Sequence, residues 1–422
     1  MSKAETKHIQ NQDLQDEKMN RITENKSSKS ANSENPASDK WEIPSDWEVK
    51  RLEDACSHFK SGFGITSEQI FDTEMYPVYG GNGLRGFTNK FTHDGNYLLI
   101  GRQGALCGNI QRVSDKVYIS EHAIAVQTNS NNDIDFLAYK LEYKNLNRLS
   151  ESSAQPGLAV EKLLRLKIAL PPLPEQTAIA NLLSTWDNAI TNIKALIAQK
   201  ELRKKWLMQN LLTEQMRLKG FEGEWKEMKM KDVFEEITEI NDGGDSHSIM
   251  TISSKLGLVS QEDKFDRVIA GDSLKKYTQI KKGDFAYNKG NSKTYKMGCV
   301  FQLEEKESAL VPFVYICFHP SEIICSAFYK QWFIAHGLDR QLQKIISSGA
   351  RGDGLLNVNT DDFFKLKISV PPIEEQTAIA QVLQAADKEI QLLKTKCNKL
   401  KEQKKGLMQV LLTGKKRLTI IN

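Results

Sequence analysis

The chain has 422 residues, of which 27% are charged, 40% hydrophobic and 8% aromatic, and its formal net charge is +4. At the ordinary size of a domain, this length predicts about two to four domains. No segment approaches the ~18 consecutive apolar residues of a membrane helix, and no apolar signal-peptide core follows the N-terminus. The composition therefore excludes a membrane span and predicts a cytoplasmic protein.

The six cysteines are scattered and form no C-x-x-C pair. Cys317, His319 and Cys325 lie close together in sequence, but no second pair of ligands with zinc-site spacing follows them. We expect reduced thiols and no metal.

Residues 1–40 contain no Phe, Trp or Tyr, and seven basic residues balance seven acidic ones. Such a segment buries too little apolar surface to offset its ordering entropy. We predict a disordered leader.

The rest of the chain is an internal repeat of two units. LKIALPPLPEQTAIANLLSTWD, from Leu166, aligns without gaps with LKISVPPIEEQTAIAQVLQAAD, from Leu366, and 25 of 53 aligned positions are identical. A weaker match relates the segments around Trp47 and Trp225 at an offset of 178. The repeat predicts two variable regions, 41–165 and 220–365, each followed by a repeated spacer, 166–219 and 366–422.

The first variable region contains short β-branched and aromatic runs between Gly and Asn, which predict a small twisted sheet with helices in an α+β fold. Its loops carry Asn82, Arg85, Arg102 and Gln103. Arg suits guanine edges, while Asn and Gln suit adenine. Each residue alone also fits a turn former or a solvated surface group, so the hypothesis of a DNA contact depends on the set.

The first spacer begins with Pro171-Pro172, which neither continues a strand nor lies inside a helix, and Glu175 complements the positive end of a helix dipole. Apolar residues then recur at alternating steps of four and three, which predicts the seam of a coiled coil. Because each copy needs a partner helix, the obvious partner for one copy is the other. The main predicted seam residues are Ile179, Leu183, Trp186 and Ile190, with Ile379, Leu383, Ile390 and Leu393.

The second variable region has the same α+β character. Neither region contains an adenine-methylation motif, HExxH or GxSxG, so we expect no catalytic centre. The candidate DNA contacts in its loops are Asn288, Lys289, Asn291, Ser292, Lys293, Tyr295 and Arg351.

The positive charge lies at the distal ends of the two helices, since residues 194–219 carry +5 and residues 394–417 carry +8, while residues 47–165 and 225–365 of the variable regions each carry −1. Lys200, Lys204 and Lys404 interrupt the seam. Seam lysines typically set register, and a phosphate contact is the alternative.

The duplicated P-P-x-x-E-Q helices, their LMQNLLT and LMQVLLT ends and two dissimilar Trp-led regions resemble the specificity (S) subunit of type I restriction-modification systems, over about residues 41–420. The resemblance implies that each variable region is a target recognition domain that reads one half of a bipartite site on double-stranded DNA. The two long helices that separate the domains are then expected to pair as an antiparallel coiled coil with a pseudo-twofold relation. It also implies two methyltransferase (M) subunits and restriction (R) subunits as partners. S-adenosylmethionine, ATP and magnesium then belong to those partners, and this chain is expected to have no cofactor and no catalytic role.

Because the two regions differ in sequence, and the second is 22 residues longer between its tryptophan and its Pro-Pro pair, we predict an asymmetric target. Since neutral variable regions gain little from counterion release, we further expect the isolated chain to bind DNA weakly. The alternatives are the recognition subunit of a type IIB-like system and a coiled-coil adaptor without a DNA role.

Overall fold

A computed structural model describes residues 43–104, 106–150, 157–241, 248–265, 271–290, 292–346 and 355–418. The predicted leader lies outside these residues. The chain divides into two compact units, Met1–Asn181 with Leu407–Asn422, and Leu182–Gly406. None of the described helices is long and apolar enough to cross a membrane.

The first half of the chain places a mixed α/β region ahead of one long helix. Its elements are β1 (Glu48–Arg51), α1 (Leu52–Ala55), β2 (Cys56–Ser61), β3 (Tyr76–Gly80), β4 (Gly83–Thr88), β5 (Tyr97–Gly101), β6 (Ile110–Val113), β7 (Tyr118–Ile119), β8 (Ala123–Thr128), α2 (Ile134–Lys144), α3 (Val160–Leu164), β9 (Lys167–Leu170) and α4 (Leu173–Leu211).

The first variable region contains an antiparallel sheet of order β2-β8-β5-β6 and a smaller sheet of order β4-β3-β7, in which β3 and β7 are parallel. The core beside them is mainly aliphatic and includes Leu99, Val117 and Ile119. A separate antiparallel ladder joins β1 to β9, with Glu48 opposite Leu170. This ladder connects the start of the region to the strand that leads into α4.

The second half repeats this plan. Its elements are β10 (Lys226–Lys229), α5 (Met230–Val233), β11 (Phe234–Glu236), β12 (Ser248–Ser253), β13 (Gly257–Ser260), α6 (Gln261–Phe265), β14 (Thr278–Lys281), β15 (Phe285–Asn288), β16 (Cys299–Gln302), β17 (Ser308–Val311), β18 (Ile316–Pro320), α7 (Ser326–Ile334), α8 (Asp339–Ile345), α9 (Thr360–Phe364), β19 (Lys367–Val370) and α10 (Ile373–Leu411).

The sheets of the second variable region follow the orders β11-β18-β15-β16 and β13-β12-β17-β14, with β12 and β17 parallel. The ladder from β10 to β19 corresponds to that from β1 to β9, and Lys226 lies opposite Val370. Aromatic rings fill much of this core, where Phe234 packs edge-to-face on Phe318 and Tyr329. The predicted α+β fold is confirmed in both regions.

The two long helices begin where the sequence predicts, directly after each Pro-Pro pair, and each has 39 residues. At 1.5 Å per residue, such a helix is roughly 58 Å long. Within the unit Leu182–Gly406, Lys204 pairs with Asp387 and Lys404 pairs with Asp187. The residue numbers rise along one helix as they fall along the other, so the predicted antiparallel pairing is confirmed.

Burial along the helices follows the predicted seam. Ile179, Leu183, Ile379 and Leu383 have no exposed surface, and Ile190 and Ile390 are also buried. Trp186 and Leu393 are half-buried. The 3-4 spacing therefore identified the inner face of both helices.

Candidate functional site

The tip of the β3–β4 hairpin packs against the end of β5 in the first variable region. A Cβ atom on Gly81 would lie 2.6 Å from the carbonyl oxygen of His122 and 3.1 Å from the Cα of Gly101, so only glycine allows this approach. The same Cβ would lie 3.4 Å from the backbone N of Arg102, which follows β5, and Gly81 directly precedes Asn82 at the exposed tip. The hairpin tip that carries Asn82 therefore lies against the segment that carries Arg102.

The other two candidates of this region belong to the same surface. The side chain of Arg85 lies over Gly80, where an added Cβ would be 2.8 Å from its Cδ atom. The guanidinium of Arg102 donates to Ser61 Oγ at 3.3 Å. Gln103 Oε1 lies 3.2 Å from His122 Nδ1. All four predicted residues of the first variable region therefore lie on chain segments at or next to the β3–β4 hairpin tip.

Two further polar side chains join this surface. The imidazole of His122 is partly exposed beside Gln103, and the amide of Gln111 lies 3.3 Å from the position of an added Cβ on Gly83. Gly83 has φ +108°, a conformation that glycine adopts without strain. Sequence reasoning missed both groups because each lies in a strand-like run, and only the folded chain places them beside the hairpin tip.

The candidates of the second variable region cluster less completely. Asn288 ends β15, and its Oδ1 accepts a hydrogen bond from Gly290 N at 2.9 Å, while Ser292 Oγ accepts one from Tyr295 N at 3.0 Å. Both side chains thus help to form turns, which leaves Lys293 as an exposed candidate. Asn291 and Arg351 lie outside the described residues.

Tyr295 differs from the expectation of a polar contact. Its side chain is only 7% exposed, and its ring packs on Phe301 and on His336, whose centroid is 4.8 Å away. Burial raises the pKa of its hydroxyl. The residue follows Lys293 in a tight turn that directs its ring into the core, so it supports the loop from beneath.

Additional cations surround this loop. One surface cleft places Arg340 of α8 beside Lys293 and Lys296, and another places Lys276 beside Lys289 and the exposed ring of Phe313. Sequence reasoning missed Lys276, Lys296, Arg340 and Phe313. The helical run at 328–346, which contains Arg340, and the strand run at 310–320, which contains Phe313, were interpreted as scaffold. A charged or aromatic residue next to a turn is the sequence feature that could have identified these four residues.

A buried glutamate at the start of α10 connects three parts of the unit Leu182–Gly406. Glu375 has no exposed surface, and its carboxylate accepts hydrogen bonds from Arg217 Nε at 2.6 Å and Nη2 at 2.7 Å, and from Trp225 Nε1 at 3.1 Å. Pairing with Glu375 raises the pKa of Arg217. The carboxylate thus ties the segment after α4 and the leading tryptophan to the start of α10.

The first copy repeats this arrangement within its own unit. The carboxylate of Glu175 accepts from Arg417 at 2.7 Å and from Trp47 Nε1 at 3.3 Å. Arg417 also donates to both carboxylate oxygens of Asp46, and this pairing lowers the pKa of Asp46. The two carboxylates raise the pKa of Arg417 in turn.

The neighbouring glutamine anchors a helix of each variable region. Gln376 Nε2 donates to the carbonyl of Pro371 at 2.8 Å, and its Oε1 accepts from Cys325 N at the start of α7 at 2.8 Å. Gln176 likewise donates to Pro171 and accepts from Asp133 N at the start of α2, at 2.9 Å each. The E-Q pair of the motif therefore holds each variable region on its own long helix.

The lysines in the seam form ion pairs with the facing helix. Lys204 Nζ lies 2.6 Å from Asp387 Oδ1, and Lys404 Nζ lies 2.6 Å from Asp187 Oδ1. Lys200 pairs with Glu389 at 2.5 Å. These contacts agree with the interpretation that the seam lysines set register.

The cysteine and histidine residues near β18 do not form a metal-binding geometry. Burial raises the pKa of the Cys317 thiol to about 12, and His319 Nδ1 lies 2.5 Å from Asp284 Oδ1. Within the described ranges, no three His, Cys, Asp or Glu side chains converge as metal ligands.

Comparison with known proteins places these features in a family. The family model for the type I restriction modification DNA specificity domain matches residues 44–201 and 222–402. The EcoprrI specificity subunit of Escherichia coli is 43% identical over 141 residues, which is 32% of this chain and 35% of that protein. The MjaVIII specificity subunit of Methanocaldococcus jannaschii is 27% identical over 418 residues, 90% of this chain and 95% of that protein.

Solved structures share the fold at low sequence identity. The S subunit of a type I restriction-modification system from M. genitalium has a TM-score of 0.57 at 14% identity and covers 90% of this chain and 99% of that one. A chain from a structural study of complex assembly and conformational transition of the type I R-M system has a TM-score of 0.52 at 13% identity, with 88% and 99% coverage.

Proposed function

This chain belongs to the type I restriction modification DNA specificity family, and from that premise we propose that it is the non-catalytic, sequence-reading subunit of such a system. Each variable region then contacts one half of a bipartite DNA site. The observation that carries the proposal is the duplication. The four-stranded sheets of both variable regions have the same strand order, and each region is held by the same Glu and Gln contacts on a P-P-x-x-E-Q helix.

The surface at the β3–β4 hairpin is suited to base recognition. Arg85 and Arg102 present guanidinium groups that match the two acceptors of a guanine edge, while Asn82 and Gln103 present amides that match adenine. A cluster of these groups on one rigid surface reads several adjacent base pairs. In the second variable region, Lys293 with the cations beside it forms the corresponding candidate surface.

The chemistry belongs to partner subunits in this proposal. Two methyltransferase subunits with S-adenosylmethionine would modify adenine, and restriction subunits with ATP and magnesium would cleave DNA. Because each variable region is close to neutral, the isolated chain would form few phosphate contacts, and the partners would contribute most of the affinity for the DNA backbone.

The decisive experiment is methylome sequencing of a host that expresses this chain with its cognate methyltransferase subunit. The expected result is one bipartite motif with two different halves. A palindromic motif, or methylation that does not change when this chain is replaced by another specificity subunit, would contradict the proposal. A host that expresses the methyltransferase alone is the control.

A second measurement tests whether this chain or the methyltransferase contributes most of the affinity for DNA. We expect the isolated chain to bind its cognate duplex weakly in a salt titration, and addition of the methyltransferase to increase both the affinity and the slope against salt concentration. Equal affinities with and without the methyltransferase would show that the chain neutralises the phosphates by itself.

A further inference from the structure

His122 connects two segments of the surface at the β3–β4 hairpin. Its carbonyl oxygen accepts a hydrogen bond from the backbone N of Arg102 at 2.9 Å, and an added Cβ on Gly81 would lie 2.6 Å from the same oxygen. Its imidazole Nδ1 lies 3.2 Å from Oε1 of Gln103. The backbone of His122 thus supports the segment of Arg102, while its side chain reaches the neighbouring candidate for a base contact.

The contact between His122 and Gln103 constrains the glutamine amide. Because an amide oxygen only accepts hydrogen bonds, the imidazole is the donor, through Nδ1–H. The amide is then attached to the protein through its oxygen, and its NH2 group takes no part in this contact. The side chain of Gln103 is therefore held with one particular end toward His122.

Glu121 orients the imidazole from its other edge. Its Oε1 lies 3.4 Å from Nε2 of His122, whereas its Oε2 is buried. The backbone N of Glu121 donates to the carbonyl of Phe63 at 3.0 Å, which fixes the position of the carboxylate relative to the sheet. If the ring turned by half a revolution about its Cβ–Cγ bond, carbon atoms would face both oxygen atoms. The two acceptors therefore favour the ring orientation in which Nδ1 donates to Gln103.

The backbone around Gln103 is held as well. Gln103 forms an antiparallel bridge with Gly157, and the carbonyl of Arg102 accepts a hydrogen bond from Leu158 N at 2.9 Å. With the backbone and the amide oxygen both attached, the long glutamine side chain retains few of its rotamers. A side chain that is already ordered loses less rotamer entropy when it binds a ligand. Gln103 is thus preorganised.

The contact with His122 leaves the amide able to bind a base. A glutamine amide has two lone pairs on Oε1 and two hydrogens on Nε2, and His122 uses one of these four. In the major groove, adenine offers a donor at N6 and an acceptor at N7, which match the oxygen and the NH2 group of glutamine. The imidazole is 45% exposed, so the contact lies at a surface that a duplex can reach.

We infer that His122 is a positioning residue that orients the Gln103 amide for adenine recognition, and that Glu121 fixes the imidazole in turn. The inference rests on the proposed function, in which Gln103 contacts a base. His122 itself acts through Gln103 and does not touch the DNA. A direct contact of the imidazole with a base or a phosphate is the alternative, and it predicts a different response to substitution.

The test uses the full chain assembled with its methyltransferase, and short duplexes that carry the motif from the methylome of the wild type. Each base pair of the motif is replaced in turn, and the value of kcat/KM for methylation gives the discrimination at that position. We expect Gln103→Ala to lower discrimination at one adenine-containing position on the order of tenfold. His122→Ala should lower it at the same position, and the double variant should lose no more than Gln103→Ala alone.

Two conservative replacements distinguish a hydrogen-bond donor from a side chain that only fills space. The amide nitrogen of asparagine replaces Nδ1 of histidine, whereas that of the longer glutamine replaces Nε2. His122→Asn should therefore retain the discrimination, and His122→Gln should lose it as His122→Ala does. All three variants keep the backbone carbonyl that supports Arg102 and the hairpin tip, and circular dichroism checks that each is folded.

Gln127→Ala is the matched control. Gln127 also has an amide that is bonded within the first variable region, since its Nε2 donates to the carbonyl of Asn96 at 3.3 Å. It lies near the end of β8, whereas His122 directly precedes the start of that strand. Removal of its amide should leave the discrimination unchanged at every position of the motif.

The possible outcomes separate the inference from its alternatives. Discrimination by His122→Ala equal to that of the wild type would overturn it, and so would equal effects of the asparagine and glutamine replacements. A loss at a position that Gln103→Ala leaves unchanged would assign a direct DNA contact to His122, and a loss at every position of the half-site would assign it a general structural role.

Failure of the premises gives different results. If Gln103→Ala changes no position of the motif, the base contact that His122 is inferred to orient does not exist. If the wild type produces no bipartite motif, the proposed function itself is refuted before any variant is considered.

Discussion

The two variable regions fold along the same path with different side chains. Both contain a four-stranded antiparallel sheet in the same connection order and a second sheet that is built around one parallel pair. A mainly aliphatic cluster lies beside the sheets of both regions, with Leu99 and Ile119 in the first and Ile252 and Val311 in the second. The second region also contains a cluster of aromatic rings that includes Phe234 and Phe318. The shared topology therefore tolerates different buried side chains, provided that the pattern of buried positions and the anchors at both ends persist.

The differences between the regions concentrate where recognition would occur. The second region has an additional strand, β14, paired with β17, and its candidate loop is followed by a buried Tyr295. The first region instead uses a glycine-rich hairpin tip that presses against β5. A conserved scaffold with divergent loops can present different polar groups without refolding.

The largest expected effect concerns the buried glutamates. Glu375→Ala leaves Arg217 and Trp225 without their shared acceptor, and we expect a loss of about 3 kcal/mol in the free energy of unfolding. Glu175→Ala should cost less, because Asp46 still pairs with Arg417. Urea denaturation of both variants measures the difference. The double variant Glu175→Ala/Asp46→Ala is the control, and its loss in the free energy of unfolding should equal that of Glu375→Ala. Equal losses in the two single variants would show that Asp46 does not compensate for Glu175.

The candidate surfaces predict a change confined to one half-site. Arg102→Ala should weaken discrimination at one or two positions of a single half-site by about 2 kcal/mol, since a bidentate base contact contributes about 1–3 kcal/mol. Methylome sequencing and competition binding with the assembled complex measure it. Tyr295→Phe is the control, and it should leave the motif unchanged because that ring is buried. Relaxation of both half-sites by Arg102→Ala would contradict the assignment of one surface to one half-site.

Two histidines should make the stability of the first variable region sensitive to acid. Burial lowers the pKa of His58 and of His93, with smaller contributions from Lys60 and from the neighbouring His58. Because the folded-state pKa lies below the unfolded value of about 6.5, the unfolded chain binds more protons in acid. Stability is thus fully present above about pH 6.5 and falls as the pH drops below it.

Urea denaturation at pH 7.5 and at pH 5.5 measures this dependence. His58→Gln/His93→Gln should reduce the loss between the two pH values relative to the wild type. An unchanged slope in the double variant would exclude these two histidines as the cause.

The smallest expected effect concerns Gly406 of α10 and the equivalent Trp206 of α4, which are both exposed. Gly406→Ala should stabilise the chain by up to about 1 kcal/mol, because it removes a flexible residue from a helix interior where the added methyl group meets nothing. Trp206→Ala should change the free energy of unfolding little, since the ring is half exposed. Thermal denaturation measures both, and destabilisation by Gly406→Ala would indicate an unrecognised close contact at that position.

Much of the scaffold followed from sequence because its signals are local or repeated. The Pro-Pro pairs and the 3-4 spacing predicted where α4 and α10 begin and which face each buries. The same reasoning selected Asn82, Arg85, Arg102 and Gln103 by residue type alone. It misplaced Tyr295, because a tyrosine in a polar loop carries no local sign of the direction in which its ring points.

The sequence by itself determined the duplication, the two long helices, the face that each helix buries and the location of the charge, all of which depend on spacing along the chain. Only the tertiary structure decided which distant residues meet. Arg417 reaches Glu175 across 242 positions, and Gly81 admits the backbone beside Arg102. Such contacts depend on the path of the whole chain, because a buried carboxylate or a close backbone approach is stable only when the surrounding packing supplies its partners.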